Sequence, residues 1–190
     1  MVESVTAFDP TDELRAHVAT AYRAGVDPRG LVSAGYINFG FNVINRVADG
    51  LGVMLPEAPD LKTAGALLLR IGYQPLAGVH WLPATRLADG LDPFEPLVAT
   101  LRDRAVAGPG QLLRSHREDI YSGIAAGALG DFGRAVAERA WTITGENVDA
   151  LRAQGAAEDT IFEAAICAAL GASTRRLDAL LGVLNGSAAH

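Results

Sequence analysis

Residues 25–53 align without a gap to residues 155–183, and a chain that carries one unit twice must fold so as to house both copies. The blocks read GVDPRGLVSAGYINFGFNVINRVADGLGV and GAAEDTIFEAAICAALGASTRRLDALLGV. Gly25/Gly155, Ala34/Ala164, Arg46/Arg176, Leu51/Leu181, Gly52/Gly182 and Val53/Val183 are identical, and most substitutions keep apolar character, as at Leu31/Ile161. A segment of helical pattern precedes each block and ends at the matching glycine. Both blocks are apolar nearly all round, the pattern of helices covered on several sides.

Punctuation along the chain is helical throughout. Thr11-Asp12-Glu13 can cap a helix whose apolar positions Leu14, Val18, Ala21 and Tyr22 share a face, closing at Gly25. Asp27-Pro28 opens a second helix, to about Asp49. Asp60 caps the Ala- and Leu-rich segment 61–73, and Asp92-Pro93-Phe94-Glu95 forms a capping box that opens a helix to about Arg104. Further helices are predicted over 111–126, 131–143, 145–154 and 158–183, with Gly171-Ala172-Ser173 as a restart inside the last. Period-two alternation is nearly absent, so the expected fold class is all-α. Gly108-Pro109-Gly110 separates an expected N-terminal half, 1–107, from a C-terminal half, 108–190; the two can pack as a single domain.

Several function classes are disfavoured. A net charge of −6 and a pI near 5.1, with no run of Lys and Arg, argue against a nucleic-acid or anionic-membrane binder. The single cysteine, Cys167, rules out an internal disulfide framework and a CxxC metal site. The apolar runs are interrupted by Asn38, Asn42 and Asn45 in one and by Glu163 in another, so no membrane span is expected. MVESVTAFDP lacks the pattern of a secretory leader, and a cytoplasmic location is the expectation. Neither GxxxxGK, GxGxxG, HxxxH nor HExxH occurs, which leaves no expected cofactor and no expected metal.

The block ending INRVADGLGV and the segment LRAQGAAEDTIFEAAICAALGASTRRLDALL resemble the alkylhydroperoxidase D-like, or carboxymuconolactone decarboxylase, family. The resemblance spans roughly 130–185 and, less fully, 25–55; it implies an all-α bundle with an internal duplication. Redox members of that family carry the pattern E-x11-C-x2-C-x3-H. With its Glu set on Glu163, the two cysteine positions fall on Arg175 and Asp178 and the His position on Gly182. In the first block the same places hold Ser33, Asn45, Ala48 and Gly52. A peroxidatic thiolate needs an electropositive surrounding and a resolving thiol close by, and the chain holds no second sulfur of that kind.

The chemistry-bearing residues each admit two readings. Cys167, in Ala-Ala-Ile-Cys-Ala-Ala-Leu, is a buried core residue or a reactive thiol. Glu163, among Ile161, Phe162 and Ala164, is a desolvated acid–base group or one arm of a salt bridge with Arg175 or Arg176. His116 and Tyr121, in Ser-His-Arg-Glu-Asp-Ile-Tyr, complete a candidate catalytic set with Glu163, or lie on a solvated helix face. Asn38, Asn42, Asn45 and Asp49 form a polar stripe that zips to a neighbouring helix or, with Arg46 and Arg176, lines a ligand cavity. Burial would oblige the two arginines to pair, with Glu163 or Asp178 for Arg176 and Asp49 for Arg46. The favoured function is a non-redox binding or assembly protein of the alkylhydroperoxidase D-like type, associating with itself as a homo-oligomer or with a cysteine-bearing relative. The alternative is a small-molecule acid–base enzyme such as a decarboxylase, lyase or isomerase.

Overall fold

The computed structural model describes residues 12–53, positions 59, 62, 63 and 66, and residues 95–187. Every regular element among them is helical, with no strand. In chain order they are α1 Asp12–Arg23, α2 Pro28–Gly50, α3 Glu95–Arg102, α4 Arg114–Ser122, α5 Gly127–Arg139, α6 Gly145–Ala153 and α7 Glu158–Ser187. α3 runs on into a π turn, Asp103–Ala107, and α5 into a 3-10 turn, Ala140–Thr142. Most of the segment expected to be helical at 61–73, together with the Thr11 cap and Asp92, lies outside the described residues.

The two aligned blocks begin with the same backbone device. Gly25 and Gly155 take φ of +81° and +90°, the left-handed region in which a Cβ is strained. Gly25 N–H donates to Tyr22 O and Val26 N–H to Ala21 O; Gly155 N–H donates to Arg152 O and Ala156 N–H to Leu151 O, at the same sequence offsets. These are the crossed bonds that close a helix C-terminus on a glycine. Asp27 then caps α2, its carboxylate accepting from Arg29 N–H at 2.8 Å, and Pro28 takes the first turn where no amide is needed. The blocks part company at their far ends. Gly52 takes φ +65° beyond the end of α2, whereas Gly182 lies inside α7.

α7 is the helix around which the others are placed, with α2, α4 and α5 packed along it. Its middle reads Ala164, Ala165, Cys167, Ala168 and Ala169, all essentially inaccessible to solvent, and these small side chains allow close approach on several sides. α1 covers one end through Leu14 and Val18, which meet Leu31 of α2 and Leu180 and Leu184 of α7. Tyr36 and Phe39 of α2 pack on Leu170 and Leu177.

Three expectations need correction. α7 is continuous through Gly171-Ala172-Ser173 and does not restart there. Gly171 serves a close approach instead: a Cβ at that position would lie 1.9 Å from the Tyr121 carbonyl oxygen at the end of α4. The helix expected over 111–126 is shorter, Arg114–Ser122, because Gln111 and Leu112 give their amides to a side chain and Gly123, at φ +80°, closes the far end. The helix expected over 131–143 opens earlier, at Gly127, and tightens to a 3-10 turn from Ala140. Ala126 caps it without any side-chain hydrogen bond, so the sequence carries no mark of that start. No described helix is long and apolar enough to cross a membrane.

Candidate functional site

Glu163 faces the loop of the Gly108-Pro109-Gly110 break. Its Oε1 accepts from Gln111 N–H at 2.7 Å and its Oε2 from Leu112 N–H at 2.9 Å, while Arg117 Nη1 lies 4.0 Å from Oε2. Arg117 is buried, donates through Nη2 to Gly108 O, and keeps its Nε without a hydrogen-bond partner. Gly110 fits this clamp because a Cβ there would sit 2.1 Å from Arg117 Nη1 and 2.7 Å from Glu163 Oε2. Both carboxylate oxygens are therefore committed to holding a loop and a guanidinium, and the carboxylate acts here as a structural acceptor. The sequence did not single out Arg117; its position four residues before Tyr121, in a run dense with charge, resembles a solvated face.

One turn along α7 lies Cys167, fully buried, its thiol directed at Ala105 O in the π turn at 3.5 Å. Burial pushes this thiol up to about 11; the Arg117 charge pulls the other way and Glu163 reinforces the rise. That is the opposite of what thiolate chemistry requires. The positions aligned with the family's cysteines hold Arg175, which donates to Tyr121 O at 2.8 Å, and Asp178.

The aligned arginines meet. Arg46 Nε donates to Ala137 O at 3.2 Å and Arg176 Nη2 to the same oxygen at 3.4 Å, so the two blocks converge on one carbonyl near the C-terminus of α5. That end of a helix carries partial negative charge, which favours cations. Arg46 also donates to Asn42 Oδ1 at 2.5 Å, and Asn42 Nδ2 donates back to Asn38 O at 2.8 Å. Arg176 Nη1 donates to Ala172 O at 3.0 Å. Desolvation lowers both guanidinium pKa values; Arg176 falls to about 10, with Arg46 and Arg175 adding repulsion, whereas Asp49 opposes the fall at Arg46. The expected pairing of Arg176 with Glu163 or Asp178 is not what forms. Glu163 is about 20 Å away along α7, and Asp178, two residues on, points about 160° away around the helix axis. The polar stripe divides: Asn42 is buried in this node, Asn38 is half-buried, and Asn45 and Asp49 are exposed.

Removing Arg176 opens a cavity and strips two buried carbonyls of a donor, whereas Arg23 is exposed on α1. Arg176→Ala should therefore lower stability by roughly 2–4 kcal/mol and Arg23→Ala by less than about 0.5 kcal/mol. Urea melts of both variants check this. An Arg176→Ala protein that unfolds with the wild type would show the node to be dispensable for folding.

Tyr121 belongs to a different locality. The Arg102 guanidinium lies over its ring, 5.2 Å from the centroid, and the pair forms a ridge between two grooves. The larger, about 580 Å³, runs between α3, α7 and the start of α2 and is lined by Tyr36, Glu95, Thr174, Asp178 and Asn185 among others. Desolvation raises the Asp178 carboxyl pKa, with Arg102 pulling it down. The smaller, about 520 Å³, lies between the π turn and α4 with Asp103, Arg114 and Glu118 on its walls. Neither groove is lined by Glu163, by His116, which is half-buried on α4, or by Asn38, Asn42, Asn45, Arg46 or Arg176. Among the described residues no group of three or more His, Cys, Asp and Glu side chains is placed to hold a metal ion. No protein-family model, no curated protein and no solved structure matches the chain.

Proposed function

We propose that this chain is a non-redox protein of the alkylhydroperoxidase D-like, or carboxymuconolactone decarboxylase, type, with an internally duplicated helical unit, and that it works by binding and assembly instead of peroxide turnover. The observation that carries the reading is Cys167, shut inside the fold with its thiol held protonated. The duplication draws support from Gly25 and Gly155, which close their helices identically, and from Arg46 and Arg176, which share one carbonyl. Its partners are a second copy of the chain or a cysteine-bearing relative.

Purified protein should turn over no organic hydroperoxide with a dithiol donor. Cys167 should resist aromatic disulfide reagents until the chain unfolds, and Cys167→Ser should retain the wild-type fold. Burial holds the folded thiol up to about 11 against 9.0 for a free thiol, so the unfolded chain releases this proton first. The stability that Cys167 contributes is thus intact below about pH 9 and lost as pH rises through about 11, a loss that Cys167→Ser should lack. Hydroperoxide turnover abolished by Cys167→Ser would overturn the reading.

The larger groove favours a second reading, a small-molecule acid–base enzyme, because Asp178 stands there with a raised pKa beside Arg102 and Tyr121. In that reading Asp178 replaces Glu163 and His116 as the proton-transfer group, and Asp178→Asn should abolish turnover while leaving the melt unchanged.

A further inference from the structure

α2 buries one side of its circumference, yet its outward side is apolar too. Ile37, Phe41 and Ile44 are 62%, 61% and 63% exposed, at spacings that place them on one face. Gly30, Ser33, Gly40 and Ala48 continue that face along the helix, and no charged residue falls on it between Gly30 and Ala48. A helix face directed at water normally carries charge, yet this one carries none over the roughly five turns from Gly30 to Ala48.

The geometry points to a second copy of this chain as the occupant, docked through α2 against α2 about a two-fold axis near Gly40 and Phe41; the inference rests on the assembly reading above and names its surface. The face is complementary to itself. With the helices antiparallel, Ile37 meets the partner's Ile44, Ser33 meets the partner's Ala48, and Phe41 lies over the partner's Gly40. Gly40 offers the recess, since a Cβ there would have nothing within 4 Å. Such an arrangement is isologous and closes on itself. The three large side chains present on the order of 400 Å² of apolar surface per protomer, about half of the ~800 Å² a side of a standard interface. Val53, 63% exposed just beyond α2, and Trp141, 71% exposed on the 3-10 turn that packs against α2, supply further apolar area beside the same helix. The absence of charge matters for a chain of net charge −6, because two copies approach there without apposing their acidic groups.

Sedimentation or light scattering at micromolar concentration should give a dimer, and Phe41→Glu should weaken it by at least about 100-fold, since each protomer would bury an unpaired carboxylate. Because Phe41 is exposed, that variant should keep its helical circular dichroism; Ile44→Glu provides an independent second change. Mixing Ile37→Cys protein with Ile44→Cys protein sets one accessible thiol opposite another and should form a disulfide between protomers under mild oxidation, with Cys167 buried in both. A dimer that survives both Phe41→Glu and Ile44→Glu overturns this surface but leaves assembly standing. A wild-type monomer overturns both, including one in which the Ile37→Cys thiol is shielded by another part of the same chain. A trimer or larger ring overturns the two-fold arrangement.

Discussion

Gly171→Ala should lower stability by about 3 kcal/mol or more, a fall of roughly 6–12 °C in melting temperature, although it adds a single methyl group. The added Cβ would lie 1.9 Å from Tyr121 O and 2.8 Å from its carbonyl carbon. These are backbone atoms, so relief requires α4 to move away from α7. That movement would also pull Tyr121 O from Arg175, which donates to it at 2.8 Å. Gly182→Ala, on the same helix with nothing within 4 Å of the added Cβ, should instead gain about 0.5–1 kcal/mol from helix propensity. Thermal melts of the two variants form a matched pair. A Gly171→Ala protein as stable as Gly182→Ala would show that the α4–α7 contact adapts freely.

A loss of similar size, roughly 3–5 kcal/mol, is expected from Glu163→Ala, because it orphans two loop amides and leaves buried Arg117 without its counter-charge. Glu163→Gln keeps one acceptor oxygen and should lose about half as much. Denaturant melts give the magnitudes, and amide exchange at Gln111 and Leu112 gives the locality. Fast exchange at those two amides in Glu163→Ala, with protection elsewhere in α4 retained, is the signature of a clamp. If Glu163 were instead a spare proton-transfer group, both variants would melt with the wild type.

The all-α fold could be read from the sequence because its signals are local. Glycines at helix ends, the Asp27-Pro28 start and the 3.6-residue apolar pattern act within one turn, and α2, α6 and α7 fall close to their expected limits. What could not be read depends on partners distant in sequence. Gly171 looks like a helix break until Tyr121 is set against it, and Gly110 looks like a linker until Arg117 and Glu163 close on it. Arg46 and Arg176 were legible as an equivalent pair, but their shared acceptor was not. A main-chain carbonyl has no sequence signature, whereas the acids near each arginine do. The grooves beside Tyr121 were hidden for the same reason: Arg102 and Asp178 are separated by most of the C-terminal half and meet only through packing.

The π turn at Asp103–Ala107 bears on how the larger groove could be gained or lost in evolution. A π turn is what an α-helix becomes when it accepts one additional residue. Deleting a single residue there would restore ordinary winding and rotate α3 by about 100° about its own axis. Arg102 would leave the ring of Tyr121, and Glu95 and Val98 would turn out of the groove wall together. One inserted codon is thus enough to create or erase that groove, at the cost of refitting Ala105 and Val106 against α7.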